Sequence, residues 1–145
     1  MRIVALDLGS KRIGVAVSDR SGTIATPLSV LQRTGSRRRD HENIAALVRE
    51  EEAELVVIGL PINLAGVEGP AAKAARTEIA ALANVIDVPI ETIDERLSTV
   101  TANRALAEGN VRGKARRERV DKVAAAVFLQ AYLDRRSHRS APVEP

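Results

Sequence analysis

Three carboxylates stand far apart in the chain, Asp7, Glu95 and Asp121, and the local pattern ends a strand or begins a helix at each. Hard oxygen donors brought together from such positions hold divalent cations, which activate water against phosphate esters. The chain has no cysteine, which excludes disulfides, thiolate ligands and thiol nucleophiles and leaves oxygen donors for any metal.

Cations surround these acids. The 22 Lys and Arg against 19 Asp and Glu give a net charge of only +3, so their location matters more than their total. Arg33 stands with Arg37-Arg38-Arg39, and Arg112, Lys114, Arg116, Arg117 and Arg119 form a second cluster directly before Asp121, in a loop opened by Gly109 and Gly113. Cations beside a metal site would meet a phosphate backbone, whereas charge runs elsewhere are solvated surface. Phe128 and Tyr132 as the only Phe, Tyr or Trp side chains argue against a platform for stacking bases, and recognition through backbone and shape is expected.

The elements that must position the acids follow from periodicity and turn residues. Residues 2–6 and 13–18 form a β-hairpin around Gly9-Ser10-Lys11-Arg12, and residues 23–30 form a third strand, on an edge because Pro27 breaks its ladder. Ile44, Leu47 and Val48 recur at helical spacing over residues 40–52, and residues 55–59 read as a strand buried on both faces. Pro70 opens an alanine-rich helix over residues 70–84, residues 89–93 form the last strand, and two helices follow at 98–108 and 118–134. The order predicts an α/β fold: a five-stranded mixed sheet, three strands antiparallel then two parallel, with helices on both faces. At 145 residues one domain is expected, covering 1–136, followed by a disordered polar tail at 137–145. No apolar run approaches the roughly 20 residues of a membrane span, and no leader is evident, so a soluble cytoplasmic protein without membrane partners is expected.

On this plan Asp7 shares a strand face with Ile3 and Ala5, where an unpaired carboxylate is costly and a cation would offset the cost. Residue type alone favours the plainer role of starting a turn. Glu95 finishes at the same sheet edge, where ligands gather in α/β sheets, although Asp94 is a rival and both acids would also suit a helix N-terminus. Asp121 lies in the first turn of the last helix on the face of Ala124, Ala125, Phe128 and Tyr132, and its alternative is a helix-start acid.

The segments Asp7-Leu8-Gly9 with Arg12-Ile13-Gly14-Val15-Ala16-Val17-Ser18-Asp19, Pro27-Leu28, Val57-Ile58-Gly59-Leu60-Pro61 with Gly66 and Gly69, Asp94-Glu95-Arg96-Leu97-Ser98-Thr99 and Asp121-Lys122-Val123-Ala124-Ala125-Ala126 occur in an order that resembles the YqgF/RuvX family. These proteins are described as pre-16S rRNA nucleases or Holliday-junction-resolvase-like proteins with a ribonuclease H-like fold. The resemblance spans residues 1–134 and departs at Ala65, where an acidic or amide residue usually precedes the glycine. It implies that Asp7, Glu95 and Asp121 are the catalytic, metal-binding acids, which decides between Asp94 and Glu95. It also implies two-metal phosphodiester hydrolysis with Mg²⁺ or Mn²⁺, with precursor 16S rRNA or branched DNA as substrate and ribosomal particles among the partners, as a monomer or homodimer. Lys11, Arg12, Arg96, Arg112, Lys114, Arg116 and Arg117 are the candidate nucleic-acid contacts, Arg12 having the alternative of pairing with an acid. Two other classes compete. Asp-x-Gly at a first hairpin also resembles the phosphate loop of actin-like ATPases and sugar kinases, which need a second domain, and a ribosome-assembly module could keep the fold without catalysis.

Overall fold

The computed structural model describes residues 1–62, 66–97 and 114–140, the backbone alone at 97, 114–120 and 138–140. The chain runs β1 (Ile3–Leu8), β2 (Arg12–Ser18), β3 (Ala25–Gln32), α1 (Arg37–Glu50), β4 (Leu55–Leu60), α2 (Pro70–Leu82), β5 (Ile90–Asp94), a short 3₁₀ helix (Glu95–Leu97) and α3 (Lys114–Ser140). The strands form one sheet in the order β3-β2-β1-β4-β5. β1, β2 and β3 pair antiparallel, and β4 and β5 continue the sheet parallel to β1. This is the expected mixed sheet.

Each face of the sheet buries its own aliphatic cluster. Val4, Leu6, Val56 and Ile58 meet Ile44, Ala45 and Val48 of α1 and Leu82 of α2. On the opposite face Ile3, Ala5, Val57 and Ile93 meet Ala125, Phe128, Leu129 and Leu133 of α3. All six residues of β4 are buried, as a central strand covered on both sides requires, so its sequence is uniformly apolar rather than alternating. The sheet rests on small and branched residues, and the alanines of α3 let that helix lie close to the strands.

Several boundaries differ from expectation. β3 begins at Ala25 because Asp19 holds the preceding turn, its Oδ1 accepting the N–H groups of Thr23 and Ile24 at 2.8 and 3.1 Å. α1 begins at Arg37 rather than Asp40, since Ser36 caps it by accepting the Arg39 N–H at 3.2 Å. α3 begins at Lys114, so the second basic cluster from that residue on is helix rather than loop, and Asp121 lies within the helix instead of in its first turn. Between Gly113 and Pro142 no glycine or proline interrupts a run rich in Ala and Arg, both good helix formers. The same reason carries the helix through Ser140, where a disordered tail was expected from residue 137. The expected helix at 98–108 lies outside the described residues.

Candidate active site

The site begins with Asp7 and its two neighbours across the sheet. Asp7 occupies a strand position rather than a turn and pairs with Gly14 of β2. On its other side the register Ala5 to Val57 and Leu6 to Ile58, carried one step further, sets Gly59 of β4 beside it. Asp7 therefore sits between two residues without side chains, on the face that α3 covers.

Both glycines are required by what approaches them. A Cβ at Gly14 would lie 2.3 Å from the carbonyl oxygen of Asp121, far inside van der Waals contact, so the α3 backbone rests directly on β2 here. A Cβ at Gly59 would come within 3.0 Å of Glu95 Oε1 and of the Phe128 ring. Gly14 thus admits the helix that carries Asp121, and Gly59 leaves a cradle that the Glu95 side chain fills. Asp7, Glu95 and Asp121 line one cavity of about 370 Å³ at the carboxyl ends of β1 and β4. Ligands of α/β sheets collect at such strand ends.

The alternation of β5 separates the two adjacent acids. Ile93 belongs to the core under α3, and Glu95, two residues on, reaches the same face. Asp94 instead receives the Arg96 Nε at 2.9 Å and the Arg96 backbone N–H at 2.9 Å. These bonds from Arg96 hold its carboxyl below the usual carboxylate range. Arg96 is thereby engaged with Asp94, and a Cβ at Gly66 of the Pro61 to Gly69 loop would lie 3.3 Å from its Nη1, so that loop approaches this ion pair.

Asp7 is only 7% exposed, whereas Glu95 and Asp121 are half-buried. Arg12 donates from Nε to Asp121 Oδ2 at 2.7 Å, the acid pairing that its sequence position left open. Lys11 is exposed, and its carbonyl accepts the Arg33 N–H at 3.0 Å. Arg112 lies outside the described residues, and of Lys114, Arg116 and Arg117 the structure gives only backbone placement in the first turns of α3, ahead of Asp121.

Of the charged network adjoining the site, only Arg33 stands out in the sequence, as part of a basic cluster. Arg33 grips Glu78 of α2 with both terminal nitrogens, at 2.6 and 2.9 Å, and donates from Nε to the Gly9 carbonyl at 2.9 Å. His41 Nε2 lies 2.8 Å from Glu78 Oε2, and Asp40 Oδ1 accepts the Thr34 N–H at 2.9 Å and its hydroxyl at 2.8 Å. Burial alone would push Glu78 up, but the hydrogen bonds from Arg33 and His41, with the charges of Arg33 and Arg37, bring it down to about 2. The network ties the Gly9 turn, which follows Asp7, to α1 and α2. A signal for it was present: Asp40 and His41 precede Ile44, Ala45 and Val48 at helical spacing, on a face that is otherwise apolar.

Among the described residues no three acidic or histidine side chains are placed to share one cation as they stand. The donor set nevertheless suits a hard divalent ion: three carboxylates on one cavity, a cradle at Gly59 that a side chain would close, and oxygen as the donor throughout.

The chain matches the family model described as RuvX, Holliday junction resolvase, over residues 1–135. It is 46% identical to a protein of Mycobacterium sp. (strain KMS) named "Putative pre-16S rRNA nuclease", over 99% of this chain and 86% of that one. A protein of the same name from Myxococcus xanthus is 47% identical over 96% of this chain and 90% of its own length. Among solved structures, RuvC of T. thermophilus in complex with a Holliday junction substrate superposes with a TM-score of 0.60 over 99% of both chains, at 15% identity, a likeness of fold.

Proposed function

The chain belongs to the RuvX (Holliday junction resolvase) family, and from that premise we propose that it is a nuclease hydrolysing phosphodiester bonds at the cavity of Asp7, Glu95 and Asp121. The observation that carries the site is the convergence of these acids, 114 residues apart at the extremes (121 − 7), on a single cavity built around Gly14 and Gly59. Mg²⁺ or Mn²⁺ held by the three carboxylates would supply an activated water and stabilise the departing oxygen.

The chain's own part is to gather and fix charge. Asp7, held in the sheet, is the rigid member. Glu95 and Asp121 are more open and face substrate from the ends of β5 and from α3. Arg12 neutralises Asp121 and, with Lys11, follows Asp7 on the β1–β2 hairpin, from which both would orient a phosphate. Arg96, Arg112, Lys114, Arg116 and Arg117 are the further candidate contacts to a nucleic-acid backbone.

The substrate we propose is precursor 16S rRNA, cut in the maturation of its 5′ end in the cytoplasm in association with ribosomal particles, as the names of the relatives suggest. The family description favours a second substrate, a four-way DNA junction. The catalytic domain is residues 1–136, acting as a monomer or homodimer. Cleavage mapping on both substrates with added Mn²⁺ or Mg²⁺ tests this reading. Wild-type protein should cut the rRNA precursor at discrete positions, and Asp7→Asn should not. Equal cleavage by Asp7→Asn would place the active site elsewhere.

A further inference from the structure

The arginines around the cavity are not equally committed. Arg33 has given its Nε to Gly9 and both terminal nitrogens to Glu78. Arg12 is bonded to Asp121 and Arg96 to Asp94. Arg37, in the first turn of α1, lines the same cavity as the three acids and makes no hydrogen bond or ion pair among the described residues. Its charge reaches Glu78, but Arg33 and His41 already occupy the oxygens of that carboxylate, so the donors of Arg37 are not used there. Ser10, also on the cavity wall, has an exposed side chain with no hydrogen bond among the described residues.

We propose that Arg37 and Ser10 form a phosphate-binding subsite for the nucleic-acid strand, on the α1 side of the cavity. The inference rests on the nuclease reading of the cavity. Its physical basis is that a guanidinium with unspent donors on an open cavity binds an anionic group that enters it, and a phosphate held there lies beside the three acids. The buried Arg33, Glu78, Asp40 and His41 network holds both halves of the subsite in place. Arg33 fixes the Gly9 carbonyl next to Ser10, and Asp40 and His41 anchor the helical turn that begins with Arg37. A substrate strand would then contact the protein on both sides of the acids, which fixes the register of the bond to be cut. Backbone contacts of this kind position a strand without reading its sequence.

The test is the salt dependence of binding, followed by fluorescence anisotropy without divalent cation, using a labelled four-way DNA junction and a labelled single-stranded RNA. Losing one phosphate contact should flatten the log–log salt slope by about 0.9 on the duplex arms of the junction or about 0.7 on single strands. Arg37→Gln should show that loss on one or both probes, and the probe affected identifies the strand bound. Arg37→Lys should restore the slope, and Arg38→Gln, next to it but bonded to Glu42, should leave it at the wild-type value. Arg37 is exposed, so its variants should melt close to the wild type. A slope for Arg37→Gln equal to wild type on both probes overturns the subsite. Failure of wild-type protein to cleave either substrate, with the slope change intact, would overturn the nuclease reading and leave the subsite standing.

Discussion

On one side of the cavity Arg33, Glu78, His41 and Asp40 form a buried network whose hydrogen bonds run back to the chain itself. On the other, Asp7, Glu95 and Asp121 are brought to a shared open volume from three separate elements. The residue types are similar, yet the surroundings differ. Glu78 and Asp40 are each about 4% exposed and meet bidentate arginine or backbone N–H donors. The three acids instead rest on ground cleared by Gly14 and Gly59 and grade from buried Asp7 to half-buried Glu95 and Asp121. Charge locked in the buried network holds elements together, and charge gathered at a cavity lines a volume that a ligand can enter.

The contrast is broken most directly by exchanging charge for amide on each side. Asp7→Asn, Glu95→Gln and Asp121→Asn should each lower cleavage by on the order of 10³-fold while the folded state holds, because mutual repulsion is relieved. Single-turnover cleavage and thermal melting, run on the same samples, check this. Stability lost in proportion to activity would assign these acids to the structure instead.

Arg33→Met should do the reverse. Removing the cation from a buried, hydrogen-bonded pair leaves Glu78 without its main partner and should cost about 3–5 kcal/mol in urea unfolding. A loss below 1 kcal/mol, on the scale of an exposed ion pair, would show that the network is not a clamp.

The network also has a pH signature. Glu78 falls from its ordinary 4.5 to about 2 in the folded protein. A carboxylate depressed on folding contributes stability that is fully present above its unfolded value and lost as pH falls through the folded one. Wild-type stability should therefore drop between pH 4.5 and about 2, with Glu78 accounting for roughly 3 kcal/mol of it. Glu78→Gln should start less stable and show a correspondingly shallower decline over that range. Parallel pH profiles for the two proteins would mean that other carboxylates carry the acid sensitivity.

A smaller perturbation separates the two glycines. Gly14→Ala drives a methyl into the α3 backbone, which cannot give way locally, and should cost about 3 kcal/mol in unfolding free energy. Gly59→Ala meets the side chains of Glu95 and Phe128, which can shift, so about 1 kcal/mol is expected. Because Glu95 is what moves, cleavage should suffer more than stability. A Gly59→Ala enzyme with wild-type activity would mean that the position of Glu95 is not critical.

Much of this arrangement was legible in the chain itself. The alternation that puts Ile3, Ala5 and Asp7 on one face, the continuous apolar run of β4 and the proline opening α2 are local signals, and each produced the expected element. Boundaries were less legible where competing local bonds decide them, as at the Ser36 cap of α1. The start of α3 was less legible because Gly109 and Gly113 read as loop, whereas the favourable propensity of residues 114–120 extends the helix back to Lys114.

Sequence alone therefore determined the order and type of the described strands and α-helices, since periodicity and turn chemistry act over a few residues, and it marked three acids as candidates. Apart from the family resemblance, only the tertiary structure decided that Glu95 rather than Asp94 shares the cavity with Asp7, because that depends on the register of β5 against Gly59. It also decided that Arg12 is bonded to Asp121 and that Arg33 is bound to Glu78, 45 positions away. Partners so distant in the chain are set by how helices seat on the sheet, and the space that Gly14 and Gly59 leave open acquires its meaning only from what arrives there.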